Sequence, residues 1–96
     1  MAYNPAKSSV YRQTLLEIYK EDLKELMKRK VPYGFFGNAR RLKNAIPCFP
    51  KENQIEYSTA IGAGINQAKL IKSPNKNKKL KKKSWQRLKI IEDFLR

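Results

Sequence analysis

No carboxylate lies between Glu56 and Glu92, a stretch that holds Lys69, Lys72, Lys76, Lys78, Lys79, Lys81, Lys82, Lys83, Arg87 and Lys89. A segment carrying one sign of charge repels itself, so its fold must hold the lysines outward and a negative partner is expected to meet them. The imbalance covers the whole chain: 22 Lys plus Arg stand against 8 Asp plus Glu in 96 residues, a formal charge of +14. It is steeper toward the C-terminus, since residues 1–56 hold 11 basic and 6 acidic groups and residues 57–96 hold 11 and 2. Hydrophobic residues still reach 41%, more than a disordered polycation carries, which implies one small core.

The apolar residues recur at helical spacing, which predicts an all-α fold of three helices in a single domain. Ser8 or Ser9 can cap a first helix over about 9–30, with Tyr11, Leu15, Ile18, Tyr19, Leu23, Leu26 and Met27 on one side. Its other side pairs Glu17 with Lys20, Glu21 with Lys24, and Glu25 with Lys28 and Arg29. Pro32, Gly34 and Gly37 end it and open an aromatic and basic loop over 32–50, in which Asn38 can cap a short helix from Ala39 to Ala45.

A further helix over 51–72 is marked by Tyr57, Ala60, Ile61, Gly64, Ile65, Ala68 and Ile71, a single helix-packing stripe. Ala60, Gly64 and Ala68 leave room on it for another backbone to approach, at roughly 1 kcal/mol for the glycine. Ser73, Pro74 and Asn75 break the helix, and 73–83 reads as a basic hinge with Leu80 facing inward. A last helix over 79–96 places Leu88, Ile91, Phe94 and Leu95 on one face, with Trp85 as a core anchor rather than a base platform. The organisation is thus an irregular lead-in at 1–8, a helical core at 9–72, the hinge, and a C-terminal helix at 84–96.

The lysine run points to phosphate. Lysine is a flexible point charge suited to a phosphate backbone rather than to bidentate base readout, so contact without sequence choice is expected. A solvated lysine face or a nuclear-import signal would read the same way. Arg40, Arg41 and Lys43 extend the basic set, and Tyr33, Phe35 and Phe36 either stack unpaired bases or plug the gap between helices. Catalysis is not expected: with no His and Cys48 alone there is no Ser-His-Asp set, no Cys-His pair and no ordinary zinc site. No cofactor is expected either, because Gly62-Ala63-Gly64 has Gln67 where a dinucleotide fingerprint needs its third glycine.

These readings favour a non-catalytic structural subunit of a ribosome or other ribonucleoprotein, with RNA and neighbouring protein subunits as partners. Non-specific DNA binding shares the same electrostatics. A different class is a helical accessory subunit of a large mitochondrial or membrane-associated complex, docking through the Ala60, Gly64, Ala68 stripe. A further one uses the last helix as an anionic-membrane or calmodulin-type target segment. The single cysteine suits a reducing intracellular compartment, with cytoplasm, mitochondrial matrix and nucleus all open. An acid-free start with Lys7 and Arg12 is compatible with organelle targeting.

Val10-Tyr11-Arg12, followed by Leu15 and Leu16, resembles the signature of the LYR-motif family. That resemblance implies a small basic three-helix mitochondrial protein attending respiratory complexes or iron–sulfur assembly. It covers Val10 to Leu16 only, and Val10 stands where the family usually has Leu; the leucines resume one position later than in that family, so membership is not inferred.

Overall fold

The computed structural model describes residues 7–73 and 81–96, and these contain helices and turns without a strand. Four α-helices follow in order: α1 (Ser9–Met27), α2 (Phe35–Ala45), α3 (Lys51–Lys72) and α4 (Lys81–Leu95), with one 3-10 turn at Ile46–Cys48 between α2 and α3. The expected all-α class holds: the three long helices are present, and the short helix expected from Ala39 to Ala45 starts four residues earlier, as α2. The lead-in up to residue 6 and the hinge at 74–80, Leu80 included, lie outside the described residues.

The Ser8 side chain starts α1 by accepting the Tyr11 N–H at 3.3 Å. The helix ends sooner than expected. The Lys30 N–H donates to the Glu25 carbonyl at 3.0 Å and the Arg29 N–H to the Leu26 carbonyl at 2.9 Å, with Arg29 at φ 63°. This is a Schellman-type end in which arginine occupies the left-handed position usually given to glycine, at a cost of roughly 1–2 kcal/mol.

The segment expected as an aromatic loop is largely α2. Gly34, at φ 80°, caps the helix, and the buried residues Phe35, Ala39, Leu42 and Ala45 form its inner stripe. Phe35 is 1% exposed and stacks on Tyr19 with ring centroids 5.7 Å apart, while Phe36 meets it edge-on at 5.4 Å. Pro32 and Gly34 belong to the turn before Phe35, whereas Gly37 is accommodated within the first turn of α2.

The Ser84 hydroxyl donates to Gln67 Oε1 at 3.0 Å, and Tyr57 meets Phe94 edge-on at 5.8 Å. The two pairs run in opposite chain directions, so α3 and α4 form an antiparallel hairpin. Along α1, Arg12 lies over Phe49, which packs on Tyr57, whereas Tyr19 reaches Ala60 and Ile61 farther along α3. The first and third helices are therefore parallel, giving an up-down-up-down arrangement.

Tyr19 fills the groove left by the small-residue stripe. Its hydroxyl donates to the carbonyls of Ala60 and Ile61 at 3.1 and 3.0 Å beside Gly64. Burial and the nearby Asp22 charge push the Tyr19 phenol far above its usual pKa range, so it stays protonated as a donor. The stripe thus receives a side chain rather than a second backbone.

Asp22 is half-buried and accepts a hydrogen bond from Asn38 Nδ2 at 3.1 Å. Burial raises its pKa, and the Asn38 bond opposes that rise without cancelling it. The folded state then holds this proton more tightly than the unfolded chain, so Asp22 makes stability fall as pH rises from about 4 upward. Replacing Asp22 with Asn keeps an acceptor for Asn38 and removes that dependence. Thermal unfolding should show the variant gaining on the wild type between pH 3.5 and 7, and a constant difference would contradict the argument.

Candidate nucleic-acid interface

The packing gathers basic residues at one end of the bundle. Because α3 and α4 are antiparallel, Lys69 and Lys72 in the last turn of α3 come to the same end as the first residues of α4, among them the exposed Lys83. Lys72 Nζ lies 5.2 Å from the centre of the Phe36 ring, which brings the start of α2 there too. With it comes the turn carrying Lys28, Arg29 and Lys30, all exposed. Glu52 and Glu56 at the start of α3, and Glu92 and Asp93 at the end of α4, lie toward the opposite end, with Glu56 and Asp93 lining one crevice. The two long arms of the hairpin, α3 and α4, therefore carry most of their cations at this end and their acids toward the other, and α3 places Lys69 and Lys72 at its own C-terminal dipole end.

Ten of the thirteen expected basic residues fall among the described residues. Lys69, Lys72, Lys83 and Lys89 are exposed, Arg87 is half-buried, and Arg40, Arg41 and Lys43 line the exposed face of α2. Arg41 Nη1 donates to Asn38 Oδ1 at 3.3 Å. Lys81 and Lys82 form the first turn of α4, while Lys76, Lys78 and Lys79 lie outside the described residues. Lys24 pairs with Glu21 at 3.0 Å within α1, and Lys28, at its C-terminal cap, pairs with Glu25 at 3.9 Å. No lysine or arginine of α2 or α3, and none of Lys83, Arg87 and Lys89 in α4, has an ion pair within 4.0 Å among the described residues.

The aromatic trio divides. Phe35 is buried against Tyr19, which removes it as a base-stacking residue, and Phe36 lies half-buried beneath Lys72. Tyr33 remains fully exposed beside the basic turn. On α3, Ala60, Ile61, Gly64 and Ala68 are buried, with Tyr57, Ile65 and Ile71 packed at the margin. That stripe is covered by this chain's own helices and presents no docking face.

Trp85 reverses the expectation of a core anchor: it is 72% exposed. The phase of α4 is set by the buried Ile91 and Phe94 and by Ser84, whose hydroxyl is bound to Gln67. Trp85 follows Ser84 and is rotated about 100° away from that face. The signal lay in Ser84, Leu88, Ile91 and Leu95, which fit the helical stripe as well as the Trp85 register does.

No helix among the described residues is long and apolar enough to cross a membrane. Comparison of the chain with protein-family models, with curated proteins and with solved structures found no match.

Proposed function

We propose that this chain is a non-catalytic structural subunit that binds the phosphate backbone of RNA within a ribonucleoprotein of the ribosomal kind. One observation carries the reading: the exposed cations of α2, the α3 end and α4 have no acidic partner among the described residues. Mutual repulsion of such charges destabilises an isolated fold, and a polyanion relieves it.

Binding proceeds by release of counterions condensed on the nucleic acid as lysines replace them. The accessory-subunit alternative loses its docking stripe to the fold's interior, and the apolar face of α4 is occupied through Ile91 and Phe94. The test is a titration of the purified full chain against a labelled structured RNA, with duplex DNA added as competitor at equal phosphate concentration. RNA is expected to stay bound. Displacement by DNA would convert the reading to DNA binding, and failure to hold RNA at 50 mM salt would end it.

A further inference from the structure

We propose that Trp85 is a stacking platform for an unpaired nucleobase, so that the RNA segment meeting α4 is single-stranded, bulged or looped rather than continuous duplex. The inference rests on the RNA-binding reading and names the kind of RNA it takes. Three observations converge on it. Trp85 is 72% exposed and makes no ring contact or hydrogen bond among the described residues, so the largest apolar side chain of the protein contributes little to its core. Its backbone is nevertheless held, because the preceding Ser84 is bonded to the buried Gln67 of α3 at 3.0 Å. The exposed Lys89 stands one helical turn beyond it, and Lys81 and Lys82 occupy the turn before it.

An exposed ring on a rigid helix with cations along the same element is what a single strand requires, since its bases offer faces to the ring while phosphates follow the lysines. In a duplex those faces are stacked on one another, and the indole would meet only the backbone or a groove edge. An anionic membrane surface would also attract lysines beside a tryptophan. The observations favour the nucleic acid because Ile91 and Phe94 are buried and the exposed Ile90 is rotated about 140° around α4 from Trp85, so the indole has no broad exposed apolar face beside it to enter a bilayer interface.

Trp85 is the sole tryptophan of the chain, so its emission reports directly on the proposed contact. The full chain is titrated separately with oligouridylate, with blunt duplex RNA of equal phosphate content, and with phosphatidylserine-containing vesicles, while anisotropy of a labelled oligonucleotide reports binding independently. Oligouridylate is expected to quench the emission to saturation and duplex RNA to leave it nearly unchanged. W85A should bind oligouridylate on the order of ten- to a hundredfold more weakly, with duplex affinity retained and W85F partly restoring the loss. An unchanged helical circular dichroism spectrum would confirm that these variants fold. Binding of oligouridylate without quenching, or equal affinity in W85A, would overturn the stacking role while leaving RNA binding intact. A blue shift seen with vesicles alone would overturn it in favour of a membrane contact, and absence of any RNA binding would overturn both readings together.

Discussion

Replacing Gly64 with alanine is expected to destabilise the fold by about 3 kcal/mol, although alanine is the better helix former by roughly 1 kcal/mol. A Cβ at this position would overlap the Tyr19 hydroxyl and lie 2.8 Å from Leu23 Cδ2 and 3.1 Å from Tyr19 Cζ. Tyr19 is completely buried, so the ring cannot swing aside without displacing Phe35, on which it stacks. Any shift also breaks the bifurcated hydrogen bond that the single Tyr19 hydroxyl proton makes to the Ala60 and Ile61 carbonyls, worth about 1 kcal/mol in all. For a chain of this length the expected loss corresponds to a drop in Tm on the order of 10–20 °C.

The mechanism is separable from a general cost of substitution. Y19F deletes the oxygen that the new methyl would strike, and should cost about 1 kcal/mol alone through its lost hydrogen bonds. Combined with G64A it should cost less than the two single effects added, by more than about 0.5 kcal/mol, because both changes act on one contact. Strict additivity in urea unfolding would show that Gly64 and Tyr19 do not meet in this way.

That contact also marks the limit of what the sequence discloses. The bounds of α3 were legible because Pro50 precedes it and Ser73-Pro74 follows it, and its small-residue stripe announced a close approach. What approaches was not legible, since Tyr19 and Ala60 are joined only by tertiary packing. Residues 35–38 were read as loop because Pro32, Gly34 and Gly37 outweighed a stripe of only four positions, Phe35, Ala39, Leu42 and Ala45. Trp85 was misplaced because two helical phases suit the apolar residues of α4, and it is tertiary packing, through the Ser84–Gln67 bond and the burial of Ile91 and Phe94, that selects between them. The basic residues needed no such long-range information, since charge without nearby acid is local to the chain and solvation keeps it outside.

Replacing Lys69, Lys83 and Lys89 together with glutamine is expected to weaken RNA binding on the order of a few hundredfold at 0.1 M salt, with the fold intact. The affinity estimate follows from counterion release: each phosphate contact contributes about 0.7–0.9 to the slope of log affinity against log salt, and so nearly a factor of ten at that concentration. If the wild type engages six or more phosphates, its affinity should fall on the order of a thousandfold between 50 and 200 mM salt, and the triple variant should lose about two units of slope. Stability should change by less than about 0.5 kcal/mol, since all three side chains are exposed and outside ion pairs. Removing like charges also relieves repulsion, which offsets the small loss of a favourable charge from Lys69 in the last turn of α3. A shallow salt slope in the wild type, or a triple variant that binds as tightly, would mean that these lysines solvate the surface and that the RNA contact, if one exists, lies elsewhere on the chain.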